Sequence, residues 1–270
     1  MDKIAFIGAG NMAKAIITGL INAGYAKENI IAVNRSFDKN AALAQEFAIQ
    51  TSLNATEAVK AADILVLGVK PQNMAELLAS LQHLDWSEKL VISLAAGITT
   101  TRLQQMANNR LKLIRVMPNT PSLIGEGMAG LYANNDISQS EKDIAEYLLG
   151  AVGNICWLES ENEINGIIAV AGSAPAYFFL FMEAMQQQAQ KQGFSEQQAR
   201  ILVQQTAIGA AKLAEAKSDI SFTELREQVT SKGGTTAEAI KVFEQANLST
   251  IVATAMQAAV QRAEEMESLF

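Results

Sequence analysis

The chain has 270 residues, 49% of them apolar, and a formal net charge of −7. That length suits about two domains. The acidic balance, the 6% aromatic content and the lack of a basic run argue against nucleic acid as a partner. One cysteine, Cys156, excludes an intrachain disulfide, and one histidine, His83, makes a His-based proton relay or metal site hard to build, so no metal is expected. No apolar run reaches the roughly 18 residues that a bilayer requires, and no signal-peptide pattern opens the chain. A soluble cytoplasmic protein without a membrane partner is the expectation.

Residues 3–8 read as a buried strand. Gly8, Gly10 and Ala13 follow at G-x-G-x-x-A spacing, and residues 13–21 continue with helical apolar periodicity. Gly8 allows the tight turn out of the strand, and Gly10 lets a pyrophosphate approach the backbone. Small Ala13 brings the helix close to the strand, and the helix start faces the phosphates with unpaired N–H groups. Residues 29–34 read as a second strand. At its end a fold selective for NAD carries an acidic residue for the ribose 2′-hydroxyl, whereas this chain has Asn34-Arg35-Ser36. A cation with an amide and a hydroxyl suits a 2′-phosphate, so NADPH is expected, with NADH as the alternative coenzyme.

A helix over 38–47 should be capped by Ser36 or Asp38, and Asn54 should open a short helix to 61. The apolar run 63–69 reads as a buried parallel strand that ends in Lys70-Pro71-Gln72. Lys70 thus stands at a strand's carboxyl end, where open α/β sheets bind ligands, and Pro71 suits a first helical turn. Residues 90–95 form the next strand. Ala96 and Gly97 follow it, small enough for a nicotinamide ring or substrate to lie against the backbone, before a helix from Thr99 or Thr100. Residues 112–117 are another strand, ahead of Pro118-Asn-Thr-Pro121. Gly125, Gly127 and Gly130 mark a flexible or tightly turned segment. A helix over 140–149 and a strand over 154–158 close a doubly wound parallel sheet.

From about 161 the pattern is helical only: 164–191, interrupted at 171–175, then 196–215, 222–229, 236–244 and 248–268. The fold class is therefore an α/β Rossmann-type domain over 1–160 followed by an all-α domain over 161–270. Several of these helices are apolar on more than one face, and a second chain is the expected cover. Ser221-Phe-Thr-Glu224 has capping-box spacing. Before the helix at 236 stands Thr230-Ser231-Lys232-Gly233-Gly234-Thr235-Thr236, whose backbone N–H groups and hydroxyls suit a carboxylate or phosphate.

A nicotinamide domain and an anion-binding helix start imply hydride transfer to a small carboxylate. Ketone reduction asks for a proton donor such as His, Lys or Tyr. A protonated cyclic imine is already electrophilic, so hydroxyls and good placement suffice. Imine reduction fits the available residues better.

The chain resembles the pyrroline-5-carboxylate reductase family over essentially its full length. The resemblance rests on Phe6-Ile-Gly-Ala-Gly-Asn-Met12, Val69-Lys-Pro-Gln72, Ser93-Leu-Ala-Ala-Gly-Ile98, Arg115-Val-Met-Pro-Asn-Thr-Pro121, Gly172-Ser-Ala-Pro-Ala-Tyr177 and above all Ser231-Lys-Gly-Gly-Thr-Thr236. It implies reduction of the C=N bond of 1-pyrroline-5-carboxylate to L-proline. It implies NADPH held by Ile7, Gly8, Ala9, Gly10, Asn11 and Met12, by Asn34, Arg35 and Ser36, by Asn54, by Val69, Lys70 and Pro71, and by Ala95, Ala96 and Gly97. It implies a substrate carboxylate on Gly233, Gly234, Thr235 and Thr236, with the Thr236 hydroxyl near the ring nitrogen and Ser231 as its catalytic companion. Glu161, at the domain junction, is similar to a family position near the site. Family members are homodimers with interlocked helical domains, often assembled into decamers. Two departures stand out: Lys232 replaces a usual proline, and Ala174 replaces a usual glycine or serine. A β-hydroxyacid dehydrogenase would need a lysine in the long helix, and residues 172–184 have none. A non-catalytic dinucleotide sensor would have no need of a second small-acid site.

Overall fold

The computed structural model describes residues 2–269. Strands β1 (Ile4–Ile7), β2 (Ile30–Val33), β3 (Gln50–Ser52), β4 (Ile64–Leu67), β5 (Leu90–Ser93), β6 (Lys112–Met117), β7 (Gly127–Ala133) and β8 (Gly153–Trp157) form one sheet in the order β3-β2-β1-β4-β5-β6-β7-β8. Helices α1 (Asn11–Asn22), α2 (Phe37–Phe47), α3 (Ala55–Ala61), α4 (Met74–Ser80), α5 (Thr100–Ala107) and α6 (Gln139–Gly150) make the connections. β1 is an interior strand, pairing Ile4 with both Ile30 and Ile64 in parallel register. Its side chains alternate between the two faces: Ile4 and Phe6 enter one apolar core, Ala5 and Ile7 the other. Burial on both faces explains why this strand is a continuous apolar run.

The sheet is not parallel throughout. β7 runs antiparallel to β6, and β8 is parallel to β7, so the last two strands oppose the other six. The physical reason is the short connection between β6 and β7. A 3-10 turn over Thr120–Ile124 ends in Gly125 at φ +79, and so few residues cannot make the crossover that parallel pairing demands. The glycine-marked segment expected to be flexible or tightly turned is a tight turn at Gly125 followed by the ordered strand β7. β3 was absent from the sequence reading, since a three-residue polar strand at the sheet edge carries no apolar signal.

The molecule divides into two compact units, one of Met1–Pro175 with Ala258–Phe270, the other of Ala176–Gln257. The secondary structure changes character near 160, whereas compactness divides the chain at 175/176 and assigns the last residues to the first unit. α7 (Glu163–Ile167), a π turn over Ile168–Gly172, and α8 (Ala174–Lys191) run on from one another. Pro175 falls in the first turn of α8, where its missing N–H costs no hydrogen bond. The interruption expected at 171–175 thus becomes a π turn. This corrects the expectation about apolar runs, because Glu163–Lys191 is long and apolar enough to cross a membrane by length and composition.

The second unit holds most of α8, together with α9 (Glu196–Ala216), α10 (Phe222–Gln228), α11 (Thr235–Gln245) and the first half of α12 (Leu248–Leu269). Ser195 and Ser221 open α9 and α10 with capping boxes. Among its described residues only Ala199 and Val203 are buried. Phe178, Phe179, Leu180, Ile201, Val242 and Ile251 are all exposed. The Phe181 and Phe243 rings meet at 5.9 Å, yet both remain partly open.

Two measurements test the first unit. Trp86 is fully buried and donates its indole N–H to the Leu81 carbonyl at 3.3 Å. Trp86→Ala should cost about 3–5 kcal/mol, seen as a lower thermal midpoint with an unchanged far-UV spectrum in the cold. Tyr25 donates its hydroxyl to the Asp2 carbonyl at 2.5 Å. Burial first, then Asp2, Tyr147 and Asp63, push its phenol from 10.0 up to about 12. The folded state favours the neutral phenol, so this contribution is complete below the ordinary value and is lost as pH rises through about 12. Tyrosinate absorbance should show a late-titrating group that Tyr25→Phe removes.

Candidate functional site

The carboxyl ends of β2, β1, β4 and β5 share one edge of the sheet, and most of the expected coenzyme residues lie there. Gly8 leaves β1 at φ +88 and donates its N–H to the Val33 carbonyl at 2.8 Å. A Cβ at Gly8 would lie 2.6 Å from Val69 Cγ1 and 2.7 Å from Val69 N. The first turn is therefore packed directly on the exit of β4, as only glycine permits. Gly10 is different: a Cβ there would meet nothing within 4 Å. It is the N-cap of α1 and offers no side-chain cap to the helix's free N–H groups. An open face over an uncapped helix start fits a pyrophosphate. Ile7 and Ala9 are buried beneath this turn, Met12 is half-buried and Asn11 exposed.

At the end of β2, Asn34 and Ser36 are engaged in shaping the turn. The Asn34 amide donates to Asn40 Oδ1 at 3.1 Å, and the Asn40 amide donates to the carbonyls of Asn34 and Ser52 at 3.3 and 2.8 Å. Ser36 caps α2, accepting from Lys39 N. Arg35 is left pointing to solvent, with Nη1 3.9 Å from the Glu76 carboxylate in an exposed pair. Asn54 caps α3 through its Oδ1, accepting from Thr56 N and Glu57 N. Past β4, Val69 is half-buried and Lys70 exposed, and Pro71 opens a 3-10 turn. Past β5, Ala95 and Gly97 are buried and Ala96 half-buried, with Ala95 N donating to Ser93 Oγ at 3.4 Å.

Glu161, expected near the substrate, is hydrogen-bonded within the first unit. One carboxylate oxygen accepts from Thr100 N at 2.6 Å and from Arg115 Nη1 at 2.7 Å, and the other accepts from the Thr100 hydroxyl at 2.8 Å. Both oxygens are committed inside the first unit. Sequence reasoning passed over the partners Arg115 and Thr100 because a charged residue within an apolar strand names no partner until the chain is folded. Asn119 was passed over likewise. It is buried, donates to the Ala171 carbonyl at 3.1 Å and accepts from Met128 N at 2.9 Å.

The remaining expected residues lie in the second unit, on the bend between α10 and α11. Gly233 turns at φ +73, and Gly234 donates its N–H to the Ser231 carbonyl at 3.0 Å. Gly234 is the N-cap of α11 and again supplies no side-chain cap. Helices α6, α9 and α10 instead begin with a serine whose hydroxyl fills that role. Among the described residues the hydroxyls of Ser231, Thr235 and Thr236 have no protein partner, while that of Thr230 is spent on the Arg226 carbonyl. Lys232 is exposed beside them. Three free hydroxyls and a bare helix start make a small surface able to take a carboxylate and a hydrogen-bonding ring atom.

Known proteins match both the strand-bearing and the helical parts of the chain. Residues 161–266 match the family model for pyrroline-5-carboxylate reductase dimerisation, and residues 3–97 match that for NADP oxidoreductase, coenzyme F420-dependent. The pyrroline-5-carboxylate reductase of Vibrio alginolyticus is 54% identical over 268 residues, 99% of this chain and 98% of that protein. That of Haemophilus influenzae is 47% identical over 267 residues, again 99% and 98%. Among solved structures, the reductase from Coxiella burnetii superposes with a TM-score of 0.93 at 41% identity, covering 98% of both chains. The Plasmodium falciparum pyrroline carboxylate reductase, solved with NADP bound, gives 0.87 at 28% identity and 98% of both.

Proposed function

This chain belongs to the pyrroline-5-carboxylate reductase family, and from that premise we propose how its own residues divide the work. It is an NADP-dependent oxidoreductase that reduces the C=N bond of 1-pyrroline-5-carboxylate to give L-proline. The observation that carries our assignment of the substrate is the bend at 231–236, with its uncapped helix start and unpartnered hydroxyls.

When bound, NADPH supplies the hydride. The free N–H groups at the start of α1 hold its pyrophosphate, with Gly10 leaving room for the approach. Arg35 meets the 2′-phosphate. It is the exposed cation of a turn whose neighbours, Asn34 and Ser36, are already hydrogen-bonded, and its pair with Glu76 is loose enough to exchange. Val69, Lys70 and Pro71 line the far side of the same crevice, as do Ala95, Ala96 and Gly97 at the next strand end. In the second unit, the N–H groups of Thr235 and Thr236 take the substrate carboxylate, with Gly233 and Gly234 letting the chain turn sharply enough to present them. The Thr236 hydroxyl bonds the ring nitrogen and Ser231 supports it.

No general acid is needed. The iminium nitrogen already carries its proton, so hydride addition at carbon leaves a neutral amine. The task of the protein is to hold and orient the ring, and hydroxyls are adequate for it. Glu161 accepts from Thr100 and Arg115 and anchors the start of α5.

The chain carries a dimerisation domain, and we place the homodimer interface on the exposed phenylalanines and aliphatic residues of α8, α9 and α12. Assembly of such dimers into a decamer and a cytoplasmic location complete the proposal.

Two variants test it. Thr236→Ala should lower kcat about ten- to a hundredfold, about 1.4–3 kcal/mol of transition-state stabilisation, and unchanged kinetics would show that the nitrogen is held elsewhere. Arg35→Ala should raise KM for NADPH more than KM for NADH, and equal effects would remove Arg35 from the 2′-phosphate.

A further inference from the structure

We propose that Glu267, in the last turn of α12, is a positioning residue for the coenzyme loop at 95–97, acting through Met266, Arg115 and Glu161. This rests on the proposed role of that loop as a coenzyme contact.

The loop leaves β5 and leads into α5. Gly97 lies within it at φ +71, and a Cβ there would sit 3.0 Å from Met266 Cβ. The end of α12 thus lies against the loop backbone itself. Three residues on, Thr100 has both its N–H and its hydroxyl bonded to Glu161. A covering side chain at Gly97 and an anchor at Thr100 hold the loop at two points.

Arg115 joins them. Its side chain is 2% exposed, and Nη1 lies 2.7 Å from Glu161 and 3.5 Å from Glu267. A cation so far removed from water needs counter-charges around it. Here they come from two distant parts of the chain, and Nη2 has no hydrogen-bond partner at all. Nothing else among the described residues competes for the guanidinium, so its hold on α12 depends on Glu267. Losing the Glu267 charge leaves Arg115 still paired with Glu161, which preserves the fold. What it releases is the turn that carries Met266, and with it the cover on Gly97.

The test uses the full-length enzyme. Glu267→Gln should raise the NADPH Kd, read from coenzyme fluorescence, about three- to tenfold, with KM for NADPH moving in parallel. KM for pyrroline-5-carboxylate should stay within about twofold, a split that general destabilisation would not produce. Glu267→Asp, which keeps the charge on a shorter arm, should fall between the two. Glu265→Gln is the control, on the same turn but exposed and paired with Arg262, and should bind as the parent does. A folded Glu267→Gln enzyme with unchanged NADPH Kd overturns the proposal. Should that variant not fold, Met266→Ala must show the weakened NADPH binding, and its failure to do so overturns the proposal equally. Ala96→Val separates the two levels. If it leaves the NADPH Kd unchanged, the loop is no coenzyme contact and both readings fall. If it weakens binding while Glu267→Gln does not, only the role of Glu267 is lost.

Discussion

Two parallel strands leave the sheet side by side at β1 and β4, and their exits touch because Gly8 has no side chain. A Cβ on Gly8 would run into Val69, and one on Gly68 would come within 2.7 Å of the Gly8 carbonyl. This close approach lets α1 start immediately above the sheet with its first N–H groups facing outward. It also sets the turn at 8–10 beside the exit at Val69, so two stretches proposed to meet the dinucleotide are neighbours. The position of α1 depends in turn on Gly19, where a Cβ would clash with the Ala151 carbonyl. Backbone packed on backbone leaves no room for adjustment, so the turn at 8–10 is held rigidly.

The helical unit is built on the opposite principle. Its side chains are largely bare, with Phe178 and Phe179 each more than three-fifths exposed. Burying one such side chain is worth about 1.5–3 kcal/mol, so a surface of this kind is stable only when covered. That agrees with the dimerisation model matched over 161–266. The bend at 231–236 therefore belongs to a unit whose own stability is tied to association.

Polar residues inside the first unit act mainly on backbone. Asn40 holds the turn at Asn34 and the carbonyl of Ser52, and Asn119 joins the β6 exit to the π turn at Ala171. Glu161 does the same for the start of α5 and is held in turn by the Arg115 guanidinium. Each of these side chains satisfies groups that would otherwise be buried unpaired. They shape the loops at the sheet edge.

Local patterns made much of this legible. Apolar runs located β1, β2, β4, β5 and β6, and serine and asparagine marked the helix starts at Ser36 and Asn54. The short polar β3 escaped because its pairing is stabilised by backbone bonds that leave no trace in side-chain type. The reversal at β7 escaped because strand direction is a property of the connection. The π turn that absorbs 168–172 joined two helices that the pattern had separated.

The sequence by itself determined the glycine turn at 8–13, the hydroxyl-bearing bend at 231–236 and the change from alternating to all-helical structure, because each is encoded by neighbours within a few residues. Only the tertiary structure decided that Glu161 anchors α5 through Thr100, that Arg115 is its buried counter-charge, and that the end of α12 returns to lie on Gly97. Those relations join residues as far apart as 115 and 267, and no local pattern specifies which distant charge a buried cation will meet.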